Sequence, residues 1–273
     1  MEEIKNRYHF DEKIHVHYLD DKPLCGTSTV ESVLAKPLSW WASGKAMELL
    51  GWVNRNLEPN EALRLESSTK VLEEIKKMGP KTYLALLDKA YKNHSVTLKD
   101  SATAGTDLHA LLEKWVKSKM QNQIQGTPVC DPEEQIMPFV DWCNKFVKRF
   151  LWSELHTYSE SLWIGGITDC GVEMIDGKVG IIDFKSAKEV YFDHFVQCGG
   201  YALQLEENGG FDANGFKVFQ LEHNIDFMAI VPFGAKNIVP TLNKNGEGTT
   251  VEDFKNSFKA CLTIYKNKQK YNE

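Results

Sequence analysis

The chain has no apolar stretch long enough to span a bilayer, and no apolar run follows its first residues Met1-Glu-Glu-Ile-Lys-Asn-Arg7. A soluble, intracellular, cytoplasmic protein without a membrane partner is therefore expected. Its six cysteines (25, 130, 143, 170, 198 and 261) include no closely spaced set of four, which argues against an iron–sulfur cluster and leaves free thiols suited to a reducing compartment. Walker and helicase motifs are missing, so any motor activity has to come from a partner. Excess positive charge is missing too. With a net charge of −6 and a pI near 5.8, a polyanionic ligand would have to meet local basic patches rather than a basic molecule.

What is present is enough apolar material for a full core, 42% of 273 residues. Strand-like and helical segments are interleaved, the pattern of a mixed α/β fold. Helices are predicted over 102–122 and 190–207, and strands near 152–158, 163–173, 178–185, 216–221 and 226–233. Residues 1–100 are read as an N-terminal strand pair and helical lobe, and 101–273 as the main domain. Within the lobe, 39–93 is helical in pattern, broken at Gly79-Pro80. Trp40, Trp41, Met47, Leu50, Leu63, Leu65, Val71, Leu72 and Ile75 are its expected buried positions. The lobe is either one wall of a nucleic-acid passage or a structural cap.

The most informative stretch is Ile164-Gly-Gly-Ile-Thr-Asp169, followed after Asp176-Gly177 by Val179-Gly-Ile-Ile-Asp183-Phe-Lys185. Alternation places Asp183 and Lys185 on one face of a strand, with Ile182 and Phe184 on the other. The turn decides whether Asp169 joins them, because a one-residue slip reverses a strand's faces. A two-residue turn would pair Asp169 with Phe184. A three-residue loop closing Met174 on Lys178, with Gly177 left-handed as a bulge, pairs Asp169 with Asp183, and this is the loop expected. Two carboxylates about 4 Å apart repel by roughly 4 kcal/mol at an effective dielectric near 20, so the pair calls for a cation. Mg²⁺ or Mn²⁺, which take oxygen ligands, would neutralise both acids and leave Lys185 for chemistry. The competing reading is a surface hairpin with a local Asp–Lys pair.

Two further pairs stand one helical turn apart: His109 and Glu113 beside the apolar stripe Leu108, Leu111, Leu112, Trp115 and Val116, and Gln197 and Tyr201 before the stop at Gly209-Gly210. Taken in order, G-x-x-x-H, Glu154, G-x-x-D, D-x-K and Q-x-x-x-Y resemble the PD-(D/E)XK nuclease superfamily. The nearest pattern is that of RecB-type nucleases, including phage exonucleases and the mitochondrial genome maintenance exonuclease type. The motif match covers 101 to about 235. Residues 8–60 match loosely, through Cys25-Gly-Thr-Ser-Thr-Val-Glu-Ser-Val-Leu34, Pro37-Leu38 and Trp40-Trp41.

The resemblance implies a restriction-endonuclease-like core: a helix, three antiparallel strands, a helix and a further strand. It implies metal ligation by His109, Asp169, Asp183 and the backbone carbonyl of Phe184, with Lys185 as the catalytic lysine. Glu154 is read either as a ligand of a second metal or as a support behind the first ligands. Gln197 and Tyr201 would hold Lys185 or touch the substrate backbone, and Glu113 would stand behind the ligands. The implied activity is a Mg²⁺- or Mn²⁺-dependent deoxyribonuclease, foremost an exonuclease on single-stranded or frayed ends in recombination, replication or repair, leaving 5′-phosphates. The source implied is phage or bacterial, with a recombination or replication protein as a further partner. The alternatives are a structure-selective endonuclease of the same fold and a catalytically silent DNA-binding or assembly module. The sequence departs from the pattern in having no proline before the first acid, and it offers no cysteine set for the cluster some RecB-type nucleases carry.

Basic patches are read at Lys114, Lys117 and Lys119 and at Lys145, Lys148 and Arg149. His15 and His17 are read as surface residues sharing a strand face rather than as zinc ligands. A capping box Thr249-x-x-Glu252 opens a C-terminal helix through Phe254, Phe258, Leu262 and Tyr265, expected to pack over the sheet.

Overall fold

The computed structural model describes residues 6–34, 39–234, 238–243 and 248–272. Chain order begins with the short strands β1 (Tyr8–Asp11), β2 (Val16–Leu19), β3 (Lys22–Pro23) and β4 (Cys25–Gly26), then α1 (Thr27–Glu31). Three helices follow, α2 (Ser39–Glu48), α3 (Glu61–Lys76) and α4 (Pro80–Gln125), and then α5 (Met137–Phe146). The hairpin strands β5 (Val147–Ser159), β6 (Ile164–Met174) and β7 (Val179–Lys185) lead to α6 (Phe192–Asn208). Strands β8 (Gly210–Phe211), β9 (Lys217–Phe219), β10 (Phe227–Pro232) and β11 (Thr241–Leu242) precede the last helix, α7 (Val251–Asn272). Among the described residues no helix is long and apolar enough to cross a membrane.

The fold is mixed α/β around a mixed sheet in the order β11-β10-β7-β6-β5-β8-β9. β5, β6 and β7 are antiparallel neighbours, and β10 lies parallel to β7. β4 pairs in parallel with the start of β6, at Cys25↔Ile164 and Gly26↔Gly165. Alternation along the strands separates two apolar cores. One joins Ile181, Ile230 and Met228 to α6 and α7 through Val196, Leu205 and Phe258. The other joins Ile182, Phe184 and Val172 to α4 and α5 through Leu112, Trp115 and Phe139. The sheet is thus covered on both faces, which accounts for the continuously buried β7 and β10.

The chain divides into two compact units, one formed by Met1–Ala35 with Gly105–Glu273 and the other by Lys36–Ala104. The expected division at residue 100 is therefore displaced, and the N-terminal strands go with the sheet: β1 to β3 form a three-stranded sheet, and β4 pairs β6. The helix expected over 102–122 is the later part of the 46-residue α4.

The second unit corrects the expectation of a buried lobe core. α2 and α3 bury no side chain; Trp40 is 88% exposed and Leu65 67%, Met47, Leu63 and Leu72 are also exposed, and Trp41, Leu50, Val71 and Ile75 are only half-buried. The physical reason is that, among the described residues, the stripes meet only partial cover, such as Val71 against Gly51, and an apolar face without a full facing layer stays wet.

Two smaller corrections concern the ends of the first unit. The cap of α7 sits one residue later than expected: Thr250 N and Oγ1 donate to Asp253 Oδ2, and Asp253 N donates to Thr250 Oγ1. α7 then lies against α6 and α1, and its Lys255 is buried in ion pairs with Glu206 (2.6 Å) and Glu252 (2.9 Å).

His17 is not a surface residue. It is 6% exposed and hydrogen-bonds Tyr8 across β1–β2, with Nδ1 2.7 Å from the Tyr8 hydroxyl, while His15 lies before the strand with φ 55°. Burial, with His156 and His15 nearby, holds the His17 pKa down at about 3. A histidine whose folded pKa lies below its unfolded 6.5 stabilises the fold in its neutral form. That stability is complete above about pH 6.5 and is lost as the pH falls toward 3, because the unfolded chain takes up the proton first. Between pH 6.5 and 4.5 this residue should cost about 2–3 kcal/mol. Urea unfolding at the two pH values tests it, and the drop should shrink by that amount in His17→Phe.

Candidate active site

The loop between β6 and β7 fixes the geometry. Met174 N donates to Lys178 O (2.8 Å), Gly177 N donates to Met174 O (2.9 Å), and Gly177 has φ 88°. This is the three-residue loop with a left-handed glycine that the sequence predicts. Pairing then runs Glu173↔Val179, Val172↔Gly180, Gly171↔Ile181 and Cys170↔Ile182. The next step of the same register sets Asp169 opposite Asp183, just where the paired residues end. Past that point Asp169 Oδ2 accepts from Phe184 N (2.7 Å), which pins the first acid against the second strand.

Asp183 is 2% exposed, held between β6 and β10, where its register partner is Ile230. Lys185 Nζ lies 2.5 Å from Asp183 Oδ2, but this oxygen has no aligned hydrogen-bond donor. Burial pushes the Asp183 carboxyl above the ordinary carboxylate range; Lys185 opposes the rise and Asp169 adds to it. Burial works against the Lys185 ammonium, yet Asp183 above all, then Tyr201 and Asp169, outweigh it and raise its pKa. Lys185 is consequently an ammonium at neutral pH, a group that stabilises negative charge and cannot take a proton.

His109, from α4, reaches Asp169 with Nε2 3.4 Å from Oδ1, and its ring meets Phe184 edge-on at 5.5 Å. The contact with Asp169 raises the His109 pKa, burial opposes this, and Glu154 and Glu113 add to the rise. Ligand atoms of His109, Glu113 and Glu154 all lie within 4.8 Å of one another. Glu113 is thus placed among the candidate ligands rather than behind them, although Lys117 makes a close ion pair with it.

Glu154 owes its place to β5. Ser153↔Cys170 and Leu155↔Thr168 put it opposite Asp169, and its φ of 51° lies in the left-handed region although it is not glycine. Such a backbone costs of order 1–3 kcal/mol and is retained where neighbours fix it, commonly at a site. Burial, then Glu113, raises its pKa.

Gln197 and Tyr201 lie on the buried face of α6 and bond to each other, Gln197 Nε2 donating to Tyr201 Oη at 2.7 Å. That mutual bond, rather than one to Lys185, is what the structure shows. Burial raises the Tyr201 pKa, so its hydroxyl stays protonated.

Sequence reasoning missed Glu31, half-buried at the end of α1. Burial and then Asp193 raise its pKa, while Lys185 lowers it, which brings a further carboxylate into the field of Lys185. No spacing pattern distinguished it, since it reaches the site through the β4–β6 pairing. Pro37 and Leu38 of the N-terminal motif lie outside the described residues.

The two expected basic patches are largely engaged. Lys148 and Arg149 both pair with Glu173, at 2.6 and 2.5 Å, across the β5–β6 ladder. Lys119 sits over the Trp115 ring and donates to Asn144 Oδ1, and Lys145 sits over Phe146.

His109, Glu113 and Glu154, with Asp169 beside His109, offer carboxylate oxygen and imidazole nitrogen; this chemistry fits a hard divalent cation such as Mg²⁺ or Mn²⁺. No family model matches the chain, and no curated protein matches it.

Proposed function

We propose that the chain is a Mg²⁺- or Mn²⁺-dependent deoxyribonuclease, an exonuclease acting on single-stranded or frayed DNA ends in recombination, replication or repair. The observation that carries this reading is the opposition of Asp169 and Asp183 beside the Lys185 ammonium, 2.5 Å from Asp183 Oδ2. The PD-(D/E)XK resemblance and its restriction-endonuclease-like core belong to the same proposal. Asp169, Asp183, His109 and the Phe184 carbonyl would hold one metal, and Glu154 with Glu113 a second. Bound there, the metal supplies a polarised scissile phosphate and a water of lowered pKa.

The chain's own groups supply the rest. Asp169 is oriented by the Phe184 N–H, so its remaining oxygen is free to turn toward His109. Lys185, kept charged by Asp183, stabilises the negative charge that develops on the phosphate oxygens. Gln197 and Tyr201 brace α6 behind the acids. Attack on phosphorus with loss of the 3′-oxygen leaves a 5′-phosphate.

Two measurements test this. Calorimetric titration with Mn²⁺ should show a tighter equivalent that Asp183→Ala removes, and Glu113→Gln with Glu154→Gln should remove a second, weaker equivalent while leaving the first. New ends should accept label from polynucleotide kinase only after phosphatase treatment; labelling without it contradicts the assigned bond.

A further inference from the structure

A cavity of about 420 Å³ opens between β2, β4, α1 and the start of β6, entirely within the sheet-bearing unit. Its size falls in the range of small-molecule sites. Tyr201 of the candidate active site forms part of its wall, and Gly166 on its floor is three residues from Asp169 along β6, about 10 Å at strand spacing. At this point Thr27 and Tyr201 close over the strand, since a Cβ at Gly166 would stand 2.6 Å from Thr27 Oγ1 and 2.8 Å from Tyr201 Cε1.

The lining chemistry is unusual for a chain of net charge −6, because no carboxylate is among the lining residues. Ser28, Thr29, Tyr265 and His15, which carry hydroxyls and an imidazole, are among them instead. Ser28 and Thr29 are exposed and Tyr265 is half-buried. Lys266 follows Tyr265 on α7, with its ammonium donating to Leu162 O at 3.2 Å. Hydroxyl donors, flat rings and one ammonium, without a repelling carboxylate, suit a sugar–phosphate unit with a base.

We infer that this cavity seats a nucleotide of the substrate strand beside the scissile phosphate, with its base against Tyr265; the inference rests on the nuclease reading above for the position of that phosphate. Hydroxyls of Ser28 and Thr29 donate to the sugar–phosphate, and Lys266 offsets its charge.

The test compares wild type with Tyr265→Ala, which removes the stacking face, and Ser28→Trp, which fills the cavity from an exposed position on α1. Anisotropy of a labelled single-stranded oligonucleotide in EDTA reads affinity without cleavage, and Mn²⁺-dependent hydrolysis of bis(p-nitrophenyl) phosphate reads the metal centre without the cavity. Both variants should bind the oligonucleotide about tenfold or more weakly, as expected for the loss of one stacked base, and hydrolyse the small diester as wild type does. Tyr265→Phe, which keeps the ring, should bind normally. Affinity within twofold of wild type in either variant, or no binding by wild type, overturns the inference. Failure of the nuclease reading shows separately, as wild type that hydrolyses neither DNA nor the small diester while the binding comparison still decides the cavity.

Discussion

Replacing Lys185 with alanine is expected to lower metal-dependent DNA cleavage by roughly 10²–10⁴-fold while leaving DNA affinity nearly unchanged. The ammonium is 2.5 Å from Asp183 and is held charged by it, so it contributes through the transition state rather than through binding. Lys185→Arg keeps the charge but replaces a compact ammonium by a planar fork, and it should recover only part of the rate. The loss should appear in kcat with KM little changed. Retained cleavage in Lys185→Ala would show that another group performs this role. Removing Lys185 also leaves a buried carboxylate without its cation, so metal-free Lys185→Ala should be less stable than wild type and should regain stability when Mn²⁺ is added.

Phe258→Ala should destabilise the core of the sheet-bearing unit strongly, by about 3–5 kcal/mol. Its ring is fully buried, and it lies against α6 so tightly that a Cβ at Gly200 would come within 2.6 Å of it. The other α7 ring at this crossing, Phe254, is already stacked on Phe195 of α6 at 5.1 Å and is not free to fill the gap, and the helix Phe258 backs carries Gln197 and Tyr201. For a chain of this size the expected fall in Tm is roughly 10 °C. Ile264→Ala on the same helix removes a side chain that is 50% exposed and should shift Tm little. Equal shifts in the two variants would contradict the assignment of this crossing to the core.

The hairpin was legible because its information is local. Asp176-Gly177 and the alternation of β7 together set the register, and the register alone places Asp169 across from Asp183. His109 and Glu113 were legible as an i,i+4 pair, but not that Glu113 would stand within ligand distance of Glu154. That proximity depends on the β5–β6 register and on the left-handed backbone of Glu154, which no short pattern encodes. The basic residues Lys148 and Arg149 read as a patch until the cross-strand neighbour, Glu173, was known. Apolar spacing located α2 and α3 but not their burial, since periodicity names the face of a helix and says nothing about whether another layer covers it. His17 was misjudged for the converse reason: its partner Tyr8 comes from a neighbouring strand whose pairing is settled by tertiary contacts.

The most direct measurement uses single-stranded DNA labelled at its 5′ or its 3′ end, incubated with Mg²⁺, Mn²⁺ or EDTA, with Asp183→Ala as the control. Shortening that requires metal and is absent from the Asp183→Ala protein is the predicted result, and the label that shortens first gives the polarity or reveals internal cuts. Intact DNA with every metal, while wild type still binds it, would contradict the catalytic assignment and leave a DNA-binding module in its place.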